Sequence, residues 1–276
     1  MKPRARNLIL DLMSAAEGRP ISVREAIFAC ALFGIRENNV RVALVRLAAD
    51  RLLESAGRGL YRLGPLADEL AGDVATWRRV EQRVRPWQGD YLVVHSGPLG
   101  RSDRAALRRR QRALSMLGFR ELEPGLFVRP NNIEDGVEGV RQRLYLLGLE
   151  RDASVFVATD FDAPRVERIA RLWDARALNA GYRRWRRELD AWLRRADRLE
   201  PEVAARESFL LGGRAIRDVV FDPLLPAPMV DAELRNAFVA SVRQFDAAGK
   251  AIWAQLMASV PAKPPPRRAV AARRRS

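Results

Sequence analysis

Three observations predict an α+β protein built in three parts. Residues 5–63 read as three short helices followed by two short strands around AGRG. Residues 87–163 follow the order β-α-β-β-α-β, and residues 164–260 are mostly helical. The first pattern is that of a winged helix-turn-helix, the second that of a ferredoxin-like domain, and the third a helical C-terminal domain. The expected boundaries are 1–64 for the winged helix-turn-helix, 65–86 for a linking helix and 87–163 for the ferredoxin-like domain. A ligand-binding or dimerisation domain over 164–260 and a disordered basic tail over 261–276 complete the chain.

Residues 5–16, ARNLILDLMSAA, place apolar side chains at a helical period, and EGRP breaks that period at Gly18 and Pro20. Ser22 can cap the next helix, and Glu25 three residues later completes a capping-box pattern. That helix is expected to reach Phe33 and stop at Gly34. The third, from Glu37 to Arg51, carries Val40, Ala43, Leu44 and Leu47 as one apolar stripe. Leu52–Ser55 and Leu60–Leu63 are the strands of the hairpin.

A linking helix is expected from Pro65 to Val84, and a new domain opens at Trp87. YLVVHS reads as a strand. RSDRAALRRRQRALSMLGF reads as a helix with Leu107, Leu114 and Leu117 at helical intervals. FRELEPGLFVRP is a strand pair turning at Pro124-Gly125, residues 137–149 a helix, and ASVFVATDF the closing strand. Beyond Pro164, VERIARLWDARAL, YRRWRRELDAWLRRADRL and PEVAARESFLLGGRAIRDVVF are amphipathic helices. FDPLLPAP interrupts them before a last helix from Asp231 to Val260. AKPPPRRAVAARRRS has no apolar stripe to fold around.

The formal charge is +15, from 49 Lys plus Arg against 34 Asp plus Glu, with Arg far in excess of Lys. Such an excess favours an anionic partner, nucleic acid or membrane. No apolar run of about 18 residues and no signal-peptide pattern is present, so a cytoplasmic, nucleoid-associated protein is expected, with no membrane partner. Cys30 is alone within AIFACALF and His95 alone within YLVVHSG, which leaves no sensible zinc site. P-loop, dinucleotide and nucleophile-elbow motifs are absent. The expectation is a protein without catalytic residues, metal or cofactor.

With the apolar stripe of the third helix turned inward, Asn38, Arg41, Val42, Val45 and Arg46 point outward. The N-terminal part of such a helix reaches base edges in the major groove of double-stranded DNA. Asn38 or Asn39 can pair with adenine, and Arg41 with guanine or a phosphate. Val42 and Val45 suit thymine methyl groups. Arg46 stands on the shoulder of this face, where it can meet a base or brace the backbone. Arg58 at the hairpin tip suits a minor-groove or phosphate contact, because Gly57 and Gly59 allow a tight turn. Arg24 and Arg36 are further backbone candidates.

FGIRENNVRVALVRLAADRLLES, WQGDYLVVHSG, LRRRQRALSMLGFRELEPGLFVRPNNI and FDPLLPAPMVDAELRNAFVAS together resemble blocks of the phenylacetic-acid degradation repressor family, the PaaX-like group of bacterial transcriptional regulators. The resemblance covers residues 5 to 258 in unbroken order. It implies homodimers that repress aromatic catabolism operons and release DNA on binding phenylacetyl-coenzyme A or another acyl-CoA. Three departures lie on the DNA-facing edge. Arg36 stands where relatives commonly have a small hydroxyl residue, and Val42 and Val45 stand where Thr and Ser are commoner. PMVDAELR also replaces a Trp-Pro-Gly-like segment.

A thioester of coenzyme A brings phosphates and an apolar acyl group. Arg108, Arg109, Arg110 and Arg112 could meet the phosphates, or form a solvated helix face. Trp173, Tyr182, Trp185 and Trp192 could form an apolar wall, although the spacing of Trp185 and Trp192 fits core or dimer packing better. Resemblance of the middle domain to a small CRISPR-associated endonuclease family raises a metal-dependent nuclease as an alternative. Asp90 alone stands near the position required, and a two-metal site needs several converging ligands. A nonspecific architectural nucleic-acid-binding protein is the third reading.

Overall fold

The computed structural model describes residues 3–16, 18–65, 67, 76–97, 99–100 and 102–259. These fall into two units: one formed within 1–69, 200–206 and 249–276, the other within 70–199 and 207–248. The architecture is α+β, with an N-terminal α/β region, a central sheet and a C-terminal helical bundle.

The N-terminal region contains helices α1 (Ala5–Ala15), α2 (Val23–Ala31) and α3 (Glu37–Ala49). Strands β1 (Ile21–Ser22), β2 (Leu53–Gly57) and β3 (Leu60–Leu63) form an antiparallel sheet in the order β1-β3-β2. Leu8, Ile9 and Met13 of α1, Ala26, Ala29 and Cys30 of α2, and Val40, Leu44 and Leu47 of α3 are buried. Each buried leucine contributes about 1.5–3 kcal/mol by leaving water. The capping box at α2 is complete: Glu25 N donates to Ser22 Oγ at 3.2 Å, and Ser22 N donates to the Glu25 carboxylate at 2.8 Å. Burial disfavours the Glu25 charge, but the bonds from Ser22 and Arg19 outweigh it and hold the carboxyl below its ordinary pKa. Gly34, at φ +72°, ends the turn that releases the chain into α3.

Over Thr76–Arg83, where a linking helix is expected, the chain forms a 3-10 helix kinked at Arg79. Residues 66 and 68–75 of that segment, and the expected basic tail, lie outside the described residues. Arg78 and Arg243 tie the 3-10 helix to the helical bundle through Asp246 and Glu81, at 2.7 and 2.9 Å.

The central sheet comprises β4 (Tyr91–His95), β5 (Arg120–Glu123), β6 (Leu126–Pro130) and β7 (Ser154–Ala158), in the order β5-β6-β4-β7 with every pairing antiparallel. Helix α4 (Arg104–Met116) joins β4 to β5, and α5 (Gly136–Leu146) joins β6 to β7. Central β4 is buried on both faces, as its run of apolar residues requires. Its Tyr91 and Val93 share a core with Leu122, Val128, Ile169, Trp173, Leu225 and Val230, so sheet and following helices bury one another.

Helices α6 (Ala163–Ala170), α7 (Ala175–Leu193), α8 (Pro201–Val220) and α9 (Ala232–Ala258) follow. The expected helix over 166–178 is broken in two. Asp174 leaves helical geometry and its carboxylate accepts from Ala177 N at 2.8 Å, starting α7 afresh. Trp173, in the break, is drawn into the core and donates its indole N–H to the Gly118 carbonyl. Along α7, Tyr182, Trp185 and Trp192 bury their rings and donate to Asp222, Asp218 and Glu207 at 2.6, 2.6 and 2.9 Å. Tyr182 and Trp185 stack on Phe238, and Trp192 packs on Phe245, both in α9. These aromatics are core, which removes them as an exposed wall for a ligand.

Residues 221–231 are pinned by a buried polar network. Arg129 is 3% exposed and donates to the carbonyls of Leu117, Pro130 and Pro223 and to Asn132 Oδ1. Asn132 donates to the Leu224 carbonyl at 2.6 Å, and Arg235 to the Leu225 carbonyl at 2.6 Å. Burial, reinforced by Arg83, pulls the Arg129 pKa down to about 9, still high enough to keep the charge at neutral pH.

Candidate nucleic-acid interface

Of the expected α3 stripe, Val40, Leu44 and Leu47 are buried at 0–2% exposure and Ala43 is half-buried at its margin, which fixes the rotation of the helix and turns the complementary face to solvent. Arg36, Asn38, Asn39, Arg41, Val42, Val45 and Arg46 are all exposed. Val45 is 65% exposed and Val42 41%, and the two lie one helical turn apart on the same solvent face. At about 100° per residue, Asn38, Val42, Val45 and Ala49 fall within a strip about 60° wide, with Arg41 and Arg46 about 40° beyond its two edges. Ala49 is exposed as well. Sequence reasoning missed it, although its spacing of four from Val45 and seven from Val42 was available.

Arg36 occupies the N-cap position of α3 with extended backbone, and its side chain makes no capping hydrogen bond. A basic side chain has no acceptor to offer the first-turn N–H groups. Those groups and the helix dipole favour an anion here.

Arg41 does not stand clear of its neighbours. Its guanidinium pairs with Glu37 one turn earlier at 2.7 Å, with both side chains 57% exposed. An exposed i,i+4 pair is worth only about 0.3–0.5 kcal/mol. A phosphate or guanine edge can therefore take Arg41 at little cost, and Glu37 screens it meanwhile.

The β2-β3 hairpin presents Arg58, exposed, between Gly57 and Gly59 at φ +140° and +71°. Nothing lies within 4 Å of a side chain built at Gly59, so its glycine serves backbone conformation, not close packing. The Gly59 carbonyl accepts from Val23 N at 3.0 Å, which anchors the hairpin to the start of α2. The cross-strand pair Arg62–Glu54, at 2.5 Å, and Arg6–Asp50, at 2.7 Å, commit two further arginines to acidic partners. Arg24, in the first turn of α2, is half-buried and engaged within the chain.

The arginine cluster of α4 does not act as one surface. Arg108, Arg109 and Arg112 are exposed, whereas Arg110 is 4% exposed and grips Glu150 through two bonds of 2.7 and 3.0 Å. A run of basic residues in sequence conceals such a member, since its burial depends on a carboxylate forty positions away. Asp90 accepts from Asn131 Nδ2 at 2.5 Å. No group of three or more His, Cys, Asp or Glu that could hold a metal occurs among the described residues. Burial pushes the Cys30 thiol up to about 11, keeping it neutral and inert. No helix among the described residues is long and apolar enough to cross a membrane.

Comparison with known proteins adds three findings. No curated protein sequence matches the chain. The uncharacterized protein Rv0674 from Mycobacterium tuberculosis has a similar fold, with a TM-score of 0.65 over 91% of this chain and 97% of that one at 23% identity. Residues 173–255 match a family model described as the PaaX-like protein C-terminal domain.

Proposed function

With a PaaX-like C-terminal domain, the mark of a family of transcriptional regulators, as the premise, we propose that this chain is a sequence-specific double-stranded-DNA-binding regulator. Its N-terminal region is then a winged helix-turn-helix and its central sheet a ferredoxin-like domain. The observation that carries the proposal is the solvent face of α3: Asn38, Val42, Val45 and Ala49 in a strip between Arg41 and Arg46. Such a face offers an amide for adenine, methyl groups for thymine and guanidinium groups for guanine or phosphate, as a recognition helix needs. Arg58 on the wing holds the minor groove or a phosphate, and Arg36 a phosphate at the helix start.

Two copies would present two such helices to a roughly palindromic site. For the contact between copies we propose edge strand β7, whose Phe156 and Val157 are 42% and 41% exposed and which carries no charged residue. On the family likeness alone, the regulator is a repressor of a catabolic operon, relieved by an aromatic acyl-CoA such as phenylacetyl-coenzyme A. The exposed Arg108, Arg109 and Arg112 are the available phosphate partners on α4.

The test is in vitro selection of genomic fragments at about 0.15 M salt, with and without a panel of acyl-CoAs. A compact enriched motif, lost with one thioester, is the expected result. Broad recovery without a motif would replace the proposal by nonspecific architectural binding, which the +15 charge alone could support. Arg58→Ala should weaken binding to every sequence alike and lower the salt slope by about one.

A further inference from the structure

Resting on the DNA reading above, we infer that the Val42–Val45 strip of α3 recognises pyrimidine C5-methyl groups, so that the preferred duplex carries them at two neighbouring positions. The centre of the strip is apolar, one helical turn long, and lies on the solvent face of α3. Two valines stand at 41% and 65% exposure, and neither has a donor or acceptor for a base edge or phosphate. What a valine can do in a major groove is exclude water against another methyl group, and in DNA that group is the C5 methyl.

Rigidity favours the same use. A valine in a helix has one strongly preferred side-chain rotamer, so its methyls are set before binding and little freedom is lost on contact. The two valines are offset by about 4.5 Å along the helix, near the roughly 3.4 Å step between base pairs. Ala49 extends the strip with a side chain too small to hold the helix away from the groove floor. Arg41 and Arg46 flank the strip on both sides, which suits the two phosphate walls of a groove and would repel a basic protein partner.

Thymine and 5-methylcytosine present the same methyl group, and two arms of one experiment separate them. A genomic duplex enriched by the protein is prepared with thymine or with deoxyuridine, which keeps every hydrogen-bonding edge and lacks only the methyl. Loss of one methyl contact should weaken binding about fourfold, and loss of both about fifteenfold, at about 0.8 kcal/mol per buried methyl-sized group. The Val42→Ala/Val45→Ala double variant should bind the thymine duplex about as weakly and no longer distinguish it from the deoxyuridine duplex. Val166→Ala, a 43% exposed valine in α6, should change nothing. In the second arm, a sensitive T·A pair is replaced by C·G, and methylation of that cytosine should recover about fourfold.

Equal affinity of the wild-type chain for thymine and deoxyuridine duplexes would overturn the inference while leaving the DNA reading intact. So would a double variant that still distinguishes the two. Failure to enrich any duplex, with Val45→Arg instead abolishing self-association, would assign the strip to a protein contact and overturn both.

Discussion

Removing the Glu150 carboxylate should cost more than removing the arginine it serves. The Arg110 side chain is 4% exposed and meets Glu150 through two bonds, while the Glu150 side chain keeps 30% exposure. Breaking a buried pair by deleting one partner costs about 3–5 kcal/mol, because the other charge stays desolvated. The open side of Glu150 lets water approach, so Glu150→Ala belongs at the low end, about 3 kcal/mol. For a unit of this size that lowers Tm by about 6–12 °C. Arg110→Met removes the buried charge along with the bridge and should cost only about 1 kcal/mol, and the double variant Arg110→Met/Glu150→Gln should lie within about 1 kcal/mol of the wild-type chain. Urea denaturation of the full chain, followed by circular dichroism, reads all three. The bonds from Arg110 hold the Glu150 carboxyl below its ordinary value of 4.5. The bridge's contribution is therefore complete above that value and lost as pH falls through the lower folded one, and the cost of Glu150→Ala should shrink in acid. A Glu150→Ala cost below that of Arg110→Met would refute this account of Arg110 as a buried cation in need of its partner.

Three further outcomes are expected. Ser22→Ala removes one half of the α2 capping box and should destabilise the N-terminal region by about 1 kcal/mol, read by thermal melting; no change would mean Glu25 alone secures the turn. Tyr182→Phe leaves the Asp222 carboxylate, whose pKa burial already raises, without its hydroxyl donor. It should cost about 1.5–3 kcal/mol at neutral pH and less in acid, where a neutral Asp222 needs the donor less; a cost that does not fall with pH would reject the role of the charge. If two copies pair as proposed, Phe156→Glu should lower the mass read by light scattering from that of two chains to that of one, and an unchanged two-chain mass would exclude the β7 edge as the contact.

Local patterns were legible where one element sufficed to define them. The α3 stripe, the Ser22/Glu25 capping box and the strand order along residues 91–158 each depend on short-range spacing, and each stands in the structure. The outward residues of α3 followed from the inward ones by rotation alone. What escaped depends on partners distant in sequence. Leu172-Trp173 continues an apolar period that reads as one helix, and only the capping bond of Asp174 and the indole bond to Gly118 reveal the break. Arg110 looks like its neighbours until Glu150 is placed beside it. Trp185 and Trp192 present the spacing of an interface or a ligand wall, and their burial against α9 decides the matter. Glu37–Arg41 is a local pair that was available to sequence reasoning and tempers how freely Arg41 stands.

The three ring-to-carboxylate bonds of α7 set a mechanical constraint. Their positions rise as 182, 185 and 192 on one side while their partners fall as 222, 218 and 207 on the other, like the teeth of two racks running in opposite directions. Sliding one by a helical turn, about 5.4 Å, would unseat every tooth together and leave three buried polar tips unmet. Small displacements therefore cannot accumulate bond by bond. Over the span of these teeth, α7 and its partners are held to one register.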